Sequence, residues 1–236
     1  FRGLERGPHI VVGTPGRVMD HMRRNTLSLD QLKFFILDEA DEMLDMGFVE
    51  DIEWVLQQAP AERQTALFSA TMPPRIADLA GKYMRSPERI SVVGKEMTAP
   101  KTKQYAYEIT RQRKVDALTR ILDAEMPSSA MIFCRTKAGV DDLGEALLSR
   151  GYPVETLHGD LSQAQRDRVM RRFRSGQAEI LIATDVAARG LDIKGVSHVF
   201  NYDIPESPEA YVHRIGRTGR AGEDGVAITL VTPRET

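Results

Sequence analysis

The sequence predicts an α/β protein of two domains, each built on a doubly wound, mostly parallel sheet with helices on both faces. Short apolar runs alternate with amphipathic stretches along the chain, and Gly, Pro, Ser and Asp separate them. This alternation is typical of repeated strand–helix–strand units. Runs such as AMIF and ILIA are apolar at every position, as expected for strands whose sheet is covered on both faces. A length of 236 residues leaves room for two cores.

The first predicted domain covers residues 1–93. Its strands are expected at 9–13, 34–38, 65–69 and 89–93. Between the second and third strands, apolar residues recur at the spacing of a helix with one buried face. These residues are Val49, Ile52, Val55 and Leu56. A free-standing sheet of this type usually has about five or more strands, and the opening FRGLERGPH has no element of its own. We therefore expect this domain to be incomplete at its N-terminus.

The second predicted domain, residues 104–236, follows a polar segment at 94–103 that includes a Pro, lacks an apolar stripe and indicates a linker. Its strands are expected at 104–110, 129–134, 154–158, 179–184, 198–202 and 225–231. Apolar spacing predicts two helices, with the faces Val115, Leu118, Ile121 and Leu122, and Val140, Leu143, Leu147 and Leu148. Two more helices begin at caps, a Ser162 to Gln165 capping box and Ser207 followed by Pro208.

The composition excludes several classes of protein. A net charge of −2 and a pI of about 6.3 argue against the basic surface of an indiscriminate nucleic-acid binder, so any such binding must be local. Cys134 is the only cysteine, which rules out an internal disulfide and a multi-thiolate metal site, and its place in AMIFC predicts a buried strand residue. No run approaches the ~20 apolar residues of a membrane span. We expect a cytoplasmic protein without membrane contact.

Charged residues follow the predicted apolar strand FFIL at once: Asp38, Glu39 and Asp41. Ligands of doubly wound sheets bind at the carboxyl ends of the strands. There, Asp38 could hold Mg²⁺ and Glu39 could orient or deprotonate an attacking water. Alternatively, Asp38 caps the following helix, while Glu39 and Asp41 favour its N-terminal dipole. Ser69 and Thr71 end the next strand, so their hydroxyls are expected at the same rim.

Two motifs of the second domain indicate a ligand. The motif ATDVAARGLDI follows a buried strand, and its loop with Arg189, Gly190 and Asp192 could approach a ligand closely, or could form only a cap and a turn. In YVHRIGRTGRAG, potential cations recur three or four residues apart along one helix edge or its end. They are His213, Arg214, Arg217 and Arg220. Such cations repel one another unless an anion meets them, and Arg presents a fork matched to phosphate oxygens. A solvated basic face is the alternative.

The motifs TPGR, DEAD, SAT, ARGLD and HRIGRTGR together resemble those of the DEAD-box family of ATP-dependent RNA helicases in helicase superfamily 2, most of all the bacterial cold-shock and RNA-decay type. The resemblance runs over essentially the whole chain. It implies two RecA-like domains that close on ATP, Mg²⁺ and single-stranded or duplex RNA. It also implies that hydrolysis requires closure, because the acids and the arginines lie on opposite sides of the predicted linker.

The resemblance assigns roles around the nucleotide. In the first domain, Asp38 would bind Mg²⁺ through water, Glu39 would be the catalytic base, and Asp41 would help to bridge the domains. Ser69 and Thr71 would couple hydrolysis to unwinding. In the second domain, His213 would be the partner of the acidic motif and Asp192 would contact the ribose. Arg217 and Arg220 would be arginine fingers for the γ-phosphate.

The resemblance also implies contacts to the RNA backbone. They would come from Thr14, Pro15, Gly16, Arg17, Arg135, Thr136, Gln163, Arg166, Thr184, Arg189 and Gly190. Thr14 precedes a helix that could start at Pro15, where exposed N–H groups would suit a phosphate. Of the five arginines between 166 and 174, only Arg166 is expected to contact RNA. Such contacts read phosphate and sugar, so binding should be salt-sensitive and weakly sequence-specific.

One part of the family's pattern is missing. The family also has a phosphate loop of the form G-x-x-x-x-G-K-[ST] and a Gln segment before it, and neither occurs in this sequence. We therefore expect the chain alone to lack ATPase and unwinding activity. Two other functions stay open, a non-catalytic RNA-binding or scaffold module and a superfamily 2 DNA helicase. An exposed sheet edge in the incomplete domain could also pair with another copy.

Overall fold

The computed structural model describes residues 3–91, 102–189, 191, 193, 195–219 and 224–235. It contains two compact units, Phe1–Val92 (unit 1) and Val93–Thr236 (unit 2). The predicted linker lies mostly outside the described residues, although its last two, Thr102 and Lys103, already belong to a strand. No helix in the described ranges is long and apolar enough to cross a membrane.

Unit 1 has a parallel two-stranded sheet among its helices. Its described elements are α1 (Pro15–Arg23), β1 (Phe34–Leu37), α2 (Ala40–Asp45), α3 (Val49–Gln58), β2 (Gln64–Leu67) and α4 (Pro74–Tyr83). The predicted apolar face of α3 is confirmed, because Ile52 and Leu56 pack with Leu37 and Leu79 in the core of the unit. The strands predicted at 34–38 and 65–69 are β1 and β2.

The strand predicted at 9–13 is wrong, and so is the described part of the one predicted at 89–93. Residues 9–13 and 89–91 are irregular, and the side chain of Val12 is 93% exposed. An apolar run becomes a strand only where a neighbouring strand takes up its backbone hydrogen bonds. None of the described strands pairs with either segment. Residues 92 and 93 lie outside the described ranges.

Unit 2 is a doubly wound sheet. Its described elements are β3 (Thr102–Glu108), a 3₁₀ turn (Arg111–Arg113), α5 (Lys114–Glu125), β4 (Ala130–Phe133), α6 (Lys137–Leu148), β5 (Val154–Leu157), α7 (Gln163–Arg174), β6 (Ile180–Ala183), α8 (Asp185–Ala188), β7 (His198–Asn201), α9 (Pro208–Ile215) and β8 (Gly225–Val231). The strand order is β3-β8-β7-β4-β6-β5, and every pair is parallel. All six strands predicted for this domain are confirmed.

The core of unit 2 covers both faces of this sheet. Ala130 and Ile132 of β4 pack on one face with residues of α5 and α6. Met131 and Phe133 pack on the other with residues of α7. This explains why AMIF is apolar at every position. One predicted face residue, Leu148, is exposed instead, because it lies about 100° around α6 from the buried Leu147.

Both predicted helix starts in unit 2 are confirmed. Ser162 and Gln165 form the reciprocal hydrogen bonds of a capping box at the start of α7. The Ser207 hydroxyl accepts a hydrogen bond from the Ala210 N–H at 3.1 Å, with Pro208 in the first turn of α9. The two caps fix the first residues of α7 and α9.

Candidate functional site

The acidic residues of unit 1 stand where β1 ends. Asp38 and Glu39 are exposed, and Asp38 Oδ1 accepts a hydrogen bond from the Glu39 N–H at 3.0 Å. The cap of α2 is Glu39, whose backbone is left-handed with φ 52°, and its side chain makes no capping hydrogen bond to the described residues. Asp38 is therefore not the cap of α2, against the alternative interpretation. A left-handed non-glycine residue costs about 1–3 kcal/mol and is typical of functional sites.

Asp41 joins the acidic motif to SAT. Its Oδ2 accepts hydrogen bonds from the Thr71 N–H at 2.7 Å and the Thr71 hydroxyl at 2.8 Å, while its N–H donates to Ser69 Oγ at 3.1 Å. The carboxylate is buried. Burial raises its pKa, but the hydrogen bonds from Thr71 and Ser69 outweigh burial and hold the pKa below its ordinary value. The predicted meeting of the two motifs at one rim is confirmed.

The acids of unit 1 fit a magnesium ion that keeps most of its water. Within the described residues, no cluster of three or more His, Cys, Asp or Glu could form an all-protein metal site. Asp38 is an exposed carboxylate, and only one of its oxygens accepts a hydrogen bond from the described residues. Mg²⁺ is commonly held by one or two carboxylates together with waters and phosphate oxygens. The donor set at this rim therefore suits Mg²⁺.

Three predicted RNA-contacting segments of unit 2 follow neighbouring strands. The strands β4, β6 and β5 are adjacent and parallel, so the segments after them lie at one edge. Thr136 caps α6, Ser162 caps α7 and Thr184 caps α8, each through its side-chain oxygen. The α6 and α7 N-termini carry partial positive charge, which favours an anion at this edge.

Hydrogen bonds hold several residues of these segments in place. Arg166 Nη2 donates to the carbonyl of Ala187 at 3.1 Å and so links α7 to α8. Arg135 is exposed, and its N–H donates to Asp203 Oδ2 at 3.0 Å. Gln163 donates to Asp167 at 2.8 Å. Arg189 is the cap that ends α8, and Gly190 lies outside the described residues.

The TPGR motif of unit 1 begins a helix, as predicted. Pro15 is the first residue of α1, and the Thr14 carbonyl accepts hydrogen bonds from the N–H groups of Arg17 and Val18, both at 3.0 Å. The Thr14 side chain makes no capping hydrogen bond to the described residues. Gly16 and Arg17 are exposed, and the guanidinium Nη1 of Arg17 lies 3.6 Å from Asp20 Oδ2. The TPGR motif therefore lies at the start of α1, whereas the acids follow β1.

The expectation that four cations share one edge of α9 is wrong for Arg214. Its side chain is 2% exposed and forms two hydrogen bonds of 2.7 Å with the Asp185 carboxylate. It also donates to the carbonyl of Asp203 at 2.6 Å and lies 5.1 Å from the centre of the Phe133 ring. A buried guanidinium without a counter-ion would be costly, and the Asp185 carboxylate compensates the charge of Arg214 at this position. Arg214 is thus a buried anchor that joins α9 to α8.

His213 and Arg217 lie in and just beyond the last turn of α9. His213 is in the last turn of α9, which ends at Ile215. Arg217 follows the helix, and its Nη1 donates to the carbonyl of Leu191 at 3.1 Å. Arg220 and Asp192, predicted to contact the nucleotide, lie outside the described residues.

The sequence interpretation missed a second buried pair. Lys114 is almost fully buried, with its Nζ 3.2 Å from Asp203 Oδ1 and 4.9 Å from the centre of the Tyr202 ring. The other Asp203 oxygen accepts the Arg135 N–H, so this pair holds the loop after β4. Neither pair has a local spacing signal, since Lys114 and Asp203 are 89 residues apart.

The two halves of the chain match known helicase families. Residues 1–79 match the family described as DEAD/DEAH box helicase, and residues 113–222 match the helicase conserved C-terminal domain. The chain belongs to the DEAD-box helicase family. This membership confirms the resemblance noted in TPGR, DEAD, SAT, ARGLD and HRIGRTGR.

The chain spans about half the length of the curated DEAD-box relatives it matches. It is 59% identical over 235 residues to the DEAD-box ATP-dependent RNA helicase CshA of Geobacillus kaustophilus, covering 100% of this chain and 50% of that protein. It is 57% identical to the ATP-dependent RNA helicase CshA of Listeria monocytogenes, covering 100% of this chain and 45% of that protein.

Solved DEAD-box structures share the fold. Saccharomyces cerevisiae Dbp5 bound to RNA and ADP BeF3 is 40% identical, with a TM-score of 0.84 over 94% of this chain and 59% of that one. A DEAD box protein from Methanococcus jannaschii is 45% identical, with a TM-score of 0.56 over 96% of this chain and 61% of that one. The predicted α/β class, with RecA-like parallel sheets, is thereby confirmed.

Proposed function

We propose that this chain carries the catalytic acids, the arginine fingers and most of the RNA contacts of an ATP-dependent RNA helicase. The main support is the cluster at the end of β1, where exposed Asp38 and Glu39 stand beside Asp41, itself locked to Ser69 and Thr71. Two exposed carboxylates on a rigid support suit phosphoryl transfer, in which the protein mainly positions groups and neutralises charge.

Around the nucleotide, Asp38 holds Mg²⁺ through bound water, and Glu39 accepts the proton of the attacking water. Mg²⁺, when bound, neutralises charge on the phosphate oxygens. Arg217 and Arg220 stabilise the charge that develops on the γ-phosphate, an effect of about 10³ to 10⁵ in rate for arginine fingers. Asp192 contacts the ribose, and His213 partners the acidic motif.

Coupling between the nucleotide and RNA passes through Asp41 in this proposal. Any shift of α2 moves Ser69 and Thr71, because three hydrogen bonds of 3.1 Å or less join them to Asp41. Asp41 also helps to bridge the two domains. Hydrolysis accordingly requires the acids of unit 1 and the arginines of unit 2 to meet on one nucleotide.

RNA is bound through its backbone. The α6 and α7 N-termini of unit 2, together with Arg135, Thr136, Gln163, Arg166, Thr184, Arg189 and Gly190, contact phosphate and sugar, and Thr14, Pro15, Gly16 and Arg17 add contacts from unit 1. The 2′-hydroxyl distinguishes RNA from DNA. The yeast relative bound to RNA and ADP BeF3 supports this class of ligand. We place the protein in the cytoplasm, where its proposed substrate is found.

The RNA interface is tested by the affinity of the 236-residue chain for a fluorescent single-stranded RNA. Arg166→Gln should weaken binding and lower the salt dependence by one contact, about 0.7 in the slope of log K against log salt. Arg168→Gln, an exposed arginine on the same helix, is the matched control. Equal affinities of both variants and the parent chain would remove Arg166 from the interface. Equal affinity for DNA of the same length would favour the DNA helicase alternative.

The catalytic proposal needs two measurements. This chain has no G-x-x-x-x-G-K-[ST] loop, so by itself it should hydrolyse ATP no faster than the buffer, and RNA-stimulated turnover would contradict this. In a chain extended upstream to include such a loop, Glu39→Gln should abolish turnover while RNA binding persists. Unchanged turnover in that variant would exclude Glu39 as the base.

Self-association through unit 1 is a further part of the proposal. Phe34 and Ile36 project from β1 and are 68% and 64% exposed. Exposed apolar strand residues of this kind favour pairing with another chain. Ile36→Lys should suppress any association that uses this surface, and sedimentation measurements can detect the change.

A further inference from the structure

The strand β3 has an open edge. It is seven residues long and pairs on one side with β8, while none of the described strands lies on its other side. Every residue from Lys103 to Glu108 is exposed, including Tyr105 at 46%. A long exposed edge strand is a template for pairing with another strand.

The hydrogen bonds of β3 show which backbone groups are available. The Ile109 N–H donates to the Val231 carbonyl of β8 at 2.7 Å. Backbone groups alternate in direction along a strand, so the odd-numbered residues of β3 face β8. The outward N–H and C=O groups therefore belong to Thr102, Gln104, Ala106 and Glu108.

We propose that two copies of this chain pair through β3, antiparallel, about a twofold axis at Tyr105. Hydrogen-bonded pairs in an antiparallel ladder need outward groups on both residues. Among the registers that meet this condition, the one centred on Tyr105 overlaps all seven residues. It places Gln104 opposite Ala106 of the second copy and Thr102 opposite its Glu108. The pairing joins two six-stranded sheets into one.

The side chains suit this register on both faces. On one face, Lys103 lies opposite Tyr107 of the second copy, where an ammonium group and an aromatic ring attract, and the two Tyr105 rings meet on the axis. On the other face, Thr102 lies opposite Glu108 of the second copy, and Gln104 lies opposite Ala106. A lysine on an edge strand usually discourages pairing, but here it gains an aromatic partner.

A second copy fits better than an unrelated extended peptide, because the strand is complementary to itself in this register. Lys103 gains an aromatic neighbour, and Glu108 lies opposite the uncharged Thr102 and not a second acid. A groove of about 360 Å³ beside the strand is lined in part by Gln104, Ala106 and Tyr211, and the Tyr211 hydroxyl of α9 donates to Gln104 Oε1 at 2.7 Å. The proposal does not depend on the RNA or ATP assignments.

The test uses charges on the axis. Tyr105→Lys and Tyr105→Glu each place like charges face to face and should each raise the dimer dissociation constant roughly tenfold or more. An equimolar mixture of the two should recover dimers that contain one of each. Sedimentation equilibrium measures the dissociation constant of each variant and of the mixture. Isotope labelling of one variant identifies mixed dimers by mass.

Two further variants complete the design. Ala106→Pro removes one outward N–H without touching the β8 ladder, which an edge strand tolerates, and should also weaken the dimer. Leu148→Lys, at an exposed apolar residue of α6 in unit 2, should leave it unchanged. The proposal is overturned if the parent chain is monomeric at all attainable concentrations, if Tyr105→Lys and Ala106→Pro both dimerise normally, or if mixing yields no mixed dimers. Loss of dimers in Ile36→Lys alone would assign association to unit 1.

Discussion

The strands β1 and β4 are alike in sequence and different in environment. Each has four apolar residues, FFIL in unit 1 and AMIF in unit 2. All four residues of β4 are buried, because β6 and β7 flank it and helices cover both faces. In β1 only Leu37 is buried. Burial of an apolar strand is favourable in both units, but the elements that pack on the strand determine whether its side chains are buried.

The two units also differ in how their buried polar groups are stabilised. In unit 2, the ion pair between the buried Arg214 and Asp185 joins α9 to α8. In unit 1, Asp41 is a buried carboxylate that contacts SAT, and the Thr71 hydroxyl and N–H, both neutral donors, stabilise it. The stability of unit 2 should therefore depend more on charge pairing, and that of unit 1 more on the hydrogen bonds to Asp41.

The largest effect is expected at the buried pair of unit 2. Arg214→Met leaves Asp185 without its partner and should lower the free energy of unfolding by about 3–5 kcal/mol. The reporter is Cys134, the only cysteine, whose burial raises its thiol pKa, so that it should react with thiol reagents only when unit 2 opens. Arg150→Met is the control, since Arg150 also lies 2.7 Å from an acid but in an exposed pair, and should cost about 0–1 kcal/mol for the ion pair.

The contrast between the two apolar strands is tested with one substitution in each. Ile132→Ala removes a fully buried side chain of β4 and should destabilise unit 2 by about 2–5 kcal/mol. Ile36→Ala removes an exposed side chain of β1 and should change unit 1 by no more than about 0.5 kcal/mol. Urea unfolding followed by Cys134 labelling for unit 2 and by the fluorescence of Trp54, the only tryptophan, for unit 1 separates the two. Equal losses would mean that β1 is covered in solution.

Asp41 should make the stability of unit 1 depend on pH. Asp41→Asn should cost about 1–3 kcal/mol at neutral pH, because a buried charged acceptor is lost. The folded pKa lies below the ordinary 3.8, so the contribution of Asp41 is present above that value and is lost as the pH falls through the folded pKa. The difference between parent and variant in Trp54-monitored unfolding should therefore shrink below pH 3.8. Asp45→Asn, an exposed position on the same helix, is the control, and a difference independent of pH would contradict the prediction.

The smallest effect compares two threonines at helix starts. Thr136 caps α6 through its hydroxyl at 3.0 Å, so Thr136→Ala should cost about 1 kcal/mol of unit 2 stability. The Thr14 hydroxyl makes no cap within the described residues, so Thr14→Ala should leave unit 1 stability nearly unchanged. Both variants should weaken RNA binding by a similar factor. A stability loss in Thr14→Ala without any loss of RNA affinity would remove Thr14 from the interface.

Much of unit 2 could be predicted from local patterns, and less of unit 1. Strand positions in unit 2 follow from apolar runs and turn residues, and the largest deviation is at β3, predicted at 104–110 and found at Thr102–Glu108. The meeting of Asp41 with Ser69 and Thr71 was predictable because both motifs follow adjacent parallel strands. The pairing of Arg214 with Asp185 was not, because 29 residues separate them and no periodicity links them.

Residue order alone was sufficient for the family, the helix caps and the location of the acidic and hydroxyl motifs at strand ends. These features depend on groups within a few residues of one another, and local hydrogen bonding and periodicity encode them. The burial of β4 against the exposure of β1, the anchoring of Arg214 and the open edge of β3 required the folded chain. Each depends on which distant segments come into contact, and short-range patterns carry no information about those contacts.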